Sequence, residues 1–157
     1  MTLGDLLVLH PVALDFLKAI GTRYWWCRGT PRTPWERLKD GVDCSGFVQM
    51  AIVRAGIYSS NQPDRRATMS TPTLPSLADI CLPTPQPQFG DLAIYPGHVM
   101  FYLFGPFVIG ASGGDSHTLG DNPKACVQLE RFDYRHDFLT FGTLKPEHRL
   151  TPTGANP

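Results

Sequence analysis

The sequence predicts an α+β fold, N-terminal helices packed on a C-terminal antiparallel sheet of five or six strands. Two observations carry this. Helical patterns come first, with the clear apolar spacing before Gly56. From Gly90 onward come short runs rich in branched and aromatic residues, each bounded by Gly, Pro, Asn or Asp. At 157 residues the chain fits one domain large enough to bury a core without metals or disulfides. That domain is expected over residues 1–145, with the polar, proline-bearing 146–157 as a flexible tail.

Taken in order, Val12, Leu14, Phe16, Leu17 and Ile20 describe an amphipathic helix that opens near Pro11 and stops around Gly21. "GTRYWWCRGTPRTPWERLKDGVD" is dense in Gly, Pro, Arg and Trp and reads as a long structured loop, its aromatics either walling a pocket or plugging the core. A second helix starts at or beside Cys44, carries Phe47, Val48, Ala51, Ile52 and Ala55, and has Gly56 as its stop. The prolines of residues 58–90 argue for a wrapped connection and against a sheet, with one short helix from Asp64 to Ser70. "DLAIY", "HVMFYLF", "FVIGAS", "ACVQLE" and "FLTFGTL" are the strands.

Composition excludes several classes of function. Lys plus Arg and Asp plus Glu are 14 each, a net charge of zero, which lacks the basic excess of a nucleic-acid footprint. No run reaches the ~18 apolar residues of a membrane span. The N-terminus lacks a basic leader and a small-residue cleavage site, so no signal peptide is expected. Cys27, Cys44, Cys81 and Cys126 form no C-x-x-C pair and no finger-like spacing with histidine, so neither a metal nor another cofactor is expected. A disulfide framework is not expected either. Cys27, Cys81 and Cys126 read as small buried or half-buried hydrophobes, and the protein as a monomer.

Cys44 is different. A thiol in the first turn of a helix meets unpaired amides and the positive end of the helix dipole, which favour thiolate over thiol. A cysteine nucleophile also needs a base within hydrogen-bond reach, and the base needs a third group to hold its ring. Among the five histidines, His10, His136 and His148 lie at helix edges or in charged segments, and His117 lies in a Gly/Asp/Ser loop. His98 opens "HVMFYLF" straight after a "YPG" turn, where a side chain can lean over the sheet end toward a helix N-terminus.

"GTRYWW", "VDCSGFV", "FGDLAIY" and "GHVMFYL", in that order from about Gly21 to Ser112, resemble the NlpC-type cell-wall cysteine peptidases, a papain-like family. The resemblance implies a papain-like fold, with Cys44 as nucleophile and His98 as general base. It implies as substrate the peptide stem of bacterial peptidoglycan, cut at the amide after D-glutamate. The late "YRHDFLTFGTL" resembles ends of phage and prophage members, which implies a lysis or tail-associated enzyme reaching the wall through phage lysis or virion delivery. Asp43 is implied as a substrate contact and Ser45 as support for the turn; either could instead cap the helix. Ser45 is carried as a second, lesser candidate for substrate contact. Tyr24 matches the family tyrosine and could donate toward the substrate carbonyl or oxyanion, or serve as a half-buried wall. Gly46 is expected to permit close helix packing, and Asp91 to fix a turn.

The pattern breaks at Gly110, where family members carry a polar residue that orients the base. Ser112, two residues on and on the same strand face, is the leading replacement. Asp115 folding back through Gly113-Gly114, a backbone carbonyl or water, and His117 are the alternatives. The break also motivates two other readings: a non-catalytic wall-binding or tail protein, and a cysteine enzyme acting on a protein amide or in acyl transfer.

Overall fold

A computed structural model of the chain describes residues 1–70 and 79–150. Helix α1 (Leu3–Leu9) begins with a reciprocal cap, the Thr2 side chain accepting from the Asp5 amide while the Asp5 side chain accepts from that of Thr2. Helix α2 (Ala13–Lys18) buries Ala13 and Phe16. The loop after it includes a 3-10 turn, Trp35–Asp40. Trp35 plugs the core from that turn: with Phe47, Phe89 and Phe101 it surrounds Phe16 at ring separations of 5.0 to 6.4 Å. Burying each such ring contributes roughly 1.5–3 kcal/mol.

Helix α3 (Cys44–Arg54) is buried from Cys44 through Ile52. It ends as its sequence requires, Gly56 taking φ +70° while the Ile57 amide returns to the Ile52 carbonyl. The short helix expected from Asp64 is α4 (Arg66–Ser70).

Six strands follow: β1 (Cys81–Thr84), β2 (Leu92–Tyr95), β3 (His98–Phe104), β4 (Phe107–Ser112), β5 (Cys126–Arg131) and β6 (Thr140–Leu144). They form one antiparallel sheet in the order β1-β6-β2-β3-β4-β5. Strand β1 corrects the expectation that residues 58–90 contribute nothing to the sheet. Its Pro83, opposite Gly142, is tolerated because β1 is an edge, where a missing amide costs no ladder bond. Residues 71–78 of that connection lie outside the described residues.

The sheet is covered on both faces. Leu92, Ile94, Val99, Phe101, Leu103, Ile109 and Ala111 join the main core with α3. On the opposite face Ala93, Tyr95, Met100, Tyr102 and Val108 are covered by Phe132, Tyr134, Phe138 and Phe141. Of the expected tail, residues 146–150 pack on the domain, and 151–157 lie outside the described residues. Pro146–His148 forms a 3-10 turn, His148 bonds the Asp79 carbonyl (3.2 Å), and the Leu150 amide donates to Ile57 (2.8 Å).

Candidate active site

The site is assembled where α3 starts and β3 and β4 end. Asp43 caps α3: one carboxylate oxygen accepts from the Gly46 amide (2.7 Å) and the Ser45 hydroxyl (3.2 Å), the other from the Cys27 amide (2.9 Å). Asp43 and Ser45 are each 1% exposed. The Asp43 oxygens are therefore occupied by the helix start, the Cys27 amide and, at 4.0 Å, the Arg66 guanidinium, and the geometry favours capping over substrate contact for Asp43 and support of that cap for Ser45. Gly46 is required by packing, since a Cβ there would lie 2.0 Å from the Arg28 carbonyl oxygen.

Cys44, the first residue of α3, is 4% exposed. Its sulfur is reached by the backbone N–H of Val99, the neighbour of His98, and by the amides of Ser45 and of Cys44 itself. A charge on Cys44 would also be felt by Tyr24 and Tyr134. Cys44 thus lies against the strand that His98 opens, where the helix amides expected to favour a thiolate are not the larger influence on the thiol. Burial and the adjacent Asp43 outweigh the helix amides and push it up to about 11. Burial, aided by the Arg135 charge, takes His98 down to about 4. These shifts favour the neutral form of both side chains near pH 7.

His98 is 7% exposed, and its Nε2 is hydrogen-bonded to the Tyr134 hydroxyl at 2.8 Å. The same hydroxyl is 3.1 Å from Ser112 Oγ. Ser112 therefore meets His98 through Tyr134, not directly as expected. Tyr134 stands in a charged loop between β5 and β6; it opens the segment "YRHDFLTFGTL", but nothing in the sequence marked it as a partner of His98. Asp115 is turned into its own loop, accepting from the His117 amide (2.8 Å) and the Thr118 hydroxyl (3.2 Å). His117, with its side chain 92% exposed, does not approach the base either. A Cβ at Gly110 would lie 2.7 Å from Met100 Sδ, so Met100 would have to shift to admit a side chain.

Tyr24 is buried and held by its backbone, its amide donating to Ala125 and its carbonyl accepting from Gly120. Gly114 packs on the ring so closely that a Cβ would come within 2.4 Å. Burial pushes the phenol pKa far up, so it stays a neutral donor. Tyr24, Trp26, His98, Ser112, Tyr134 and Arg135 line a groove of about 510 Å3, with Asp115 and Ser116 at its rim. That volume suits a short peptide segment.

The sequence profile of the NlpC/P60 family matches residues 21–128, more than half of the chain. This chain belongs to the NlpC/P60 family. The structure is similar to the crystal structure of the P60 domain from an M. avium subspecies paratuberculosis antigen, at 21% identity and a TM-score of 0.50, over 90% of this chain and 96% of that one. No curated protein sequence matches. As an NlpC/P60 protein the chain has a papain-like α+β fold and a function of the cell-wall peptidase type.

The cysteines divide by environment. Cys81 is buried and Cys126 half-buried, as read from the sequence; Cys27 is exposed, and its φ of +60° follows from the turn that brings its amide to Asp43. Asp91 holds a turn by accepting from the Gln88 amide (2.8 Å). Among the described residues no His/Cys/Asp/Glu group could hold a metal ion, and no helix is long and apolar enough to cross a membrane.

Proposed function

We propose that this NlpC/P60 protein is a cysteine endopeptidase that hydrolyses one amide bond in the stem peptides of peptidoglycan, the bond after D-glutamate. The reading is supported by Cys44, at the capped start of α3, whose sulfur takes the amide of Val99, the residue after His98, and by His98, at the start of β3, lining a peptide-sized groove.

In this mechanism Cys44 Sγ attacks the carbonyl carbon as its proton passes to His98. The negative oxygen that forms faces the Cys44 amide, with Tyr24 as a second donor. Collapse breaks the C–N bond, the imidazolium returns its proton to the leaving amine, and a thioester remains. Water then attacks the thioester, giving one proton to His98. Breaking the C–S bond frees the new acid and the thiolate, which takes the proton back.

The test is digestion of muropeptides of defined stem sequence, with products read by mass. Wild type is expected to release fragments cut after D-glutamate, and Cys44→Ala none. Identical product profiles for the two proteins would refute catalysis on this polymer. Cleavage at a different bond would refute the assigned position alone.

A further inference from the structure

Nucleophile and base account for two of the three groups that the chemistry needs; the third must hold the imidazole in one tautomer and orientation. Strand β4 does not supply it at Gly110, which has no side chain and packs against Met100. A different part of the chain reaches Nε2 instead. We propose that Tyr134 is the positioning residue of the Cys44–His98 pair, its hydroxyl accepting from Nε2–H of His98 while donating to Ser112 Oγ. The inference rests on reading Cys44 and His98 as a catalytic pair.

The direction of the chain of hydrogen bonds decides its chemical value. If Tyr134 donated to Nε2, the ring proton would sit on Nδ1, and the remaining nitrogen would have no lone pair for the thiol. With Ser112 as the acceptor of the phenolic proton, a lone pair on the Tyr134 oxygen is left to face Nε2–H. The proton is then held at Nε2, and Nδ1 is the base. Ser112 thus acts through Tyr134, which explains why its contact with His98 is indirect.

The phenol is itself held firmly. Tyr95 packs edge-on against the Tyr134 ring (5.7 Å) and donates its hydroxyl to the Phe132 carbonyl (2.7 Å), anchoring the turn. Next in sequence, Arg135 reaches the Pro96 carbonyl (3.3 Å), tying the same loop to the turn that precedes His98. A neutral phenol stabilises an imidazolium less than a carboxylate would, so its loss should cost less than the ~10^4-fold known for a buried triad aspartate.

The experiment compares wild type with Tyr134→Phe, Ser112→Ala and the double variant. Tyr134→Phe keeps the ring that packs on Tyr95, and near-ultraviolet circular dichroism checks that each variant is folded. Tyr134→Phe is expected to lower kcat on muropeptides about 10- to 100-fold with KM nearly unchanged. It should also slow alkylation of Cys44 and alter the pH dependence of that reaction. Ser112→Ala should cost several-fold, and the double variant no more than Tyr134→Phe alone, because both act through one chain. In 15N-histidine spectra at pH 7, wild-type His98 should carry its proton on Nε2, and Tyr134→Phe should lose that preference. Wild-type kcat and alkylation in a folded Tyr134→Phe protein would overturn the proposal, as would an Nδ1–H tautomer in wild type. If wild type cuts no stem peptide, the substrate reading fails on its own, and the tautomer and alkylation data still decide the role of Tyr134.

Discussion

Asp43 offers the sharpest separation of a structural from a substrate-binding role. Replacing it with Ala removes the acceptor of two backbone amides, Gly46 (2.7 Å) and Cys27 (2.9 Å), and of the Ser45 hydroxyl (3.2 Å), at a place only 1% exposed. Hydrogen bonds to a charged acceptor contribute about 1.5–3 kcal/mol each, but the wild-type carboxylate is itself buried at a cost that raises its pKa. A net loss of about 2–4 kcal/mol follows, in line with the upper range for N-cap removal plus one further orphaned amide. For a chain of this length that lowers Tm by roughly 5–15 °C. Thermal unfolding followed by circular dichroism measures it. A second readout has the opposite sign: removing the Asp43 charge takes away one of the causes that raise the Cys44 pKa, so the thiol should become more acidic and its alkylation profile should move to lower pH. If Asp43→Ala leaves Tm within a degree or two of wild type and raises KM instead, Asp43 meets substrate and the capping argument is wrong.

Two further outcomes are expected. An unfolded His98 takes its proton near 6.5 and the folded one near 4, so between these values the unfolded state binds more protons, and stability is lost as pH falls through this window. The loss amounts to at most about 3 kcal/mol and should be missing from urea unfolding of His98→Gln; parallel curves for the two proteins would refute it. Gly110→Ala should cost about 1–3 kcal/mol by pressing a methyl group against the buried Met100, and Met100→Ala in the same chain should recover part of it; a neutral Gly110→Ala would show that Met100 can move aside.

Local chemistry made much of this molecule legible. The five strands read from short runs of branched and aromatic residues bounded by turn residues are all present, and the start and stop of α3 follow from Asp43 and Gly56. What was missed locally has recognisable causes. Helix α1 carried a signal in the spacing of Thr2 and Asp5, a reciprocal cap before an apolar run. Strand β1 was hidden by Pro83, a residue that weighs against a strand only if the strand is central. A helix dipole at Cys44 can be inferred from a motif, whereas the depth of burial that opposes it depends on tertiary packing around the thiol.

Tyr134 was illegible for a topological reason. Strand β5 lies at one edge of the sheet, while β6 inserts between β1 and β2 near the other. Residues 132–139 must therefore pass across β4, β3 and β2, and they do so over the face opposite α3, where Phe132, Tyr134 and Phe138 cover Tyr95, Met100 and Val108. Such a crossing is specified by strand order, not by any short pattern. It carries a side chain that is 36 positions from His98 in sequence to Nε2 of that ring. The same crossing explains why Gly110 can be tolerated. With Tyr134 supplied from outside the sheet, the space beside the base can be given to Met100, so an apolar packing contact and the orientation of the base are met by separate residues.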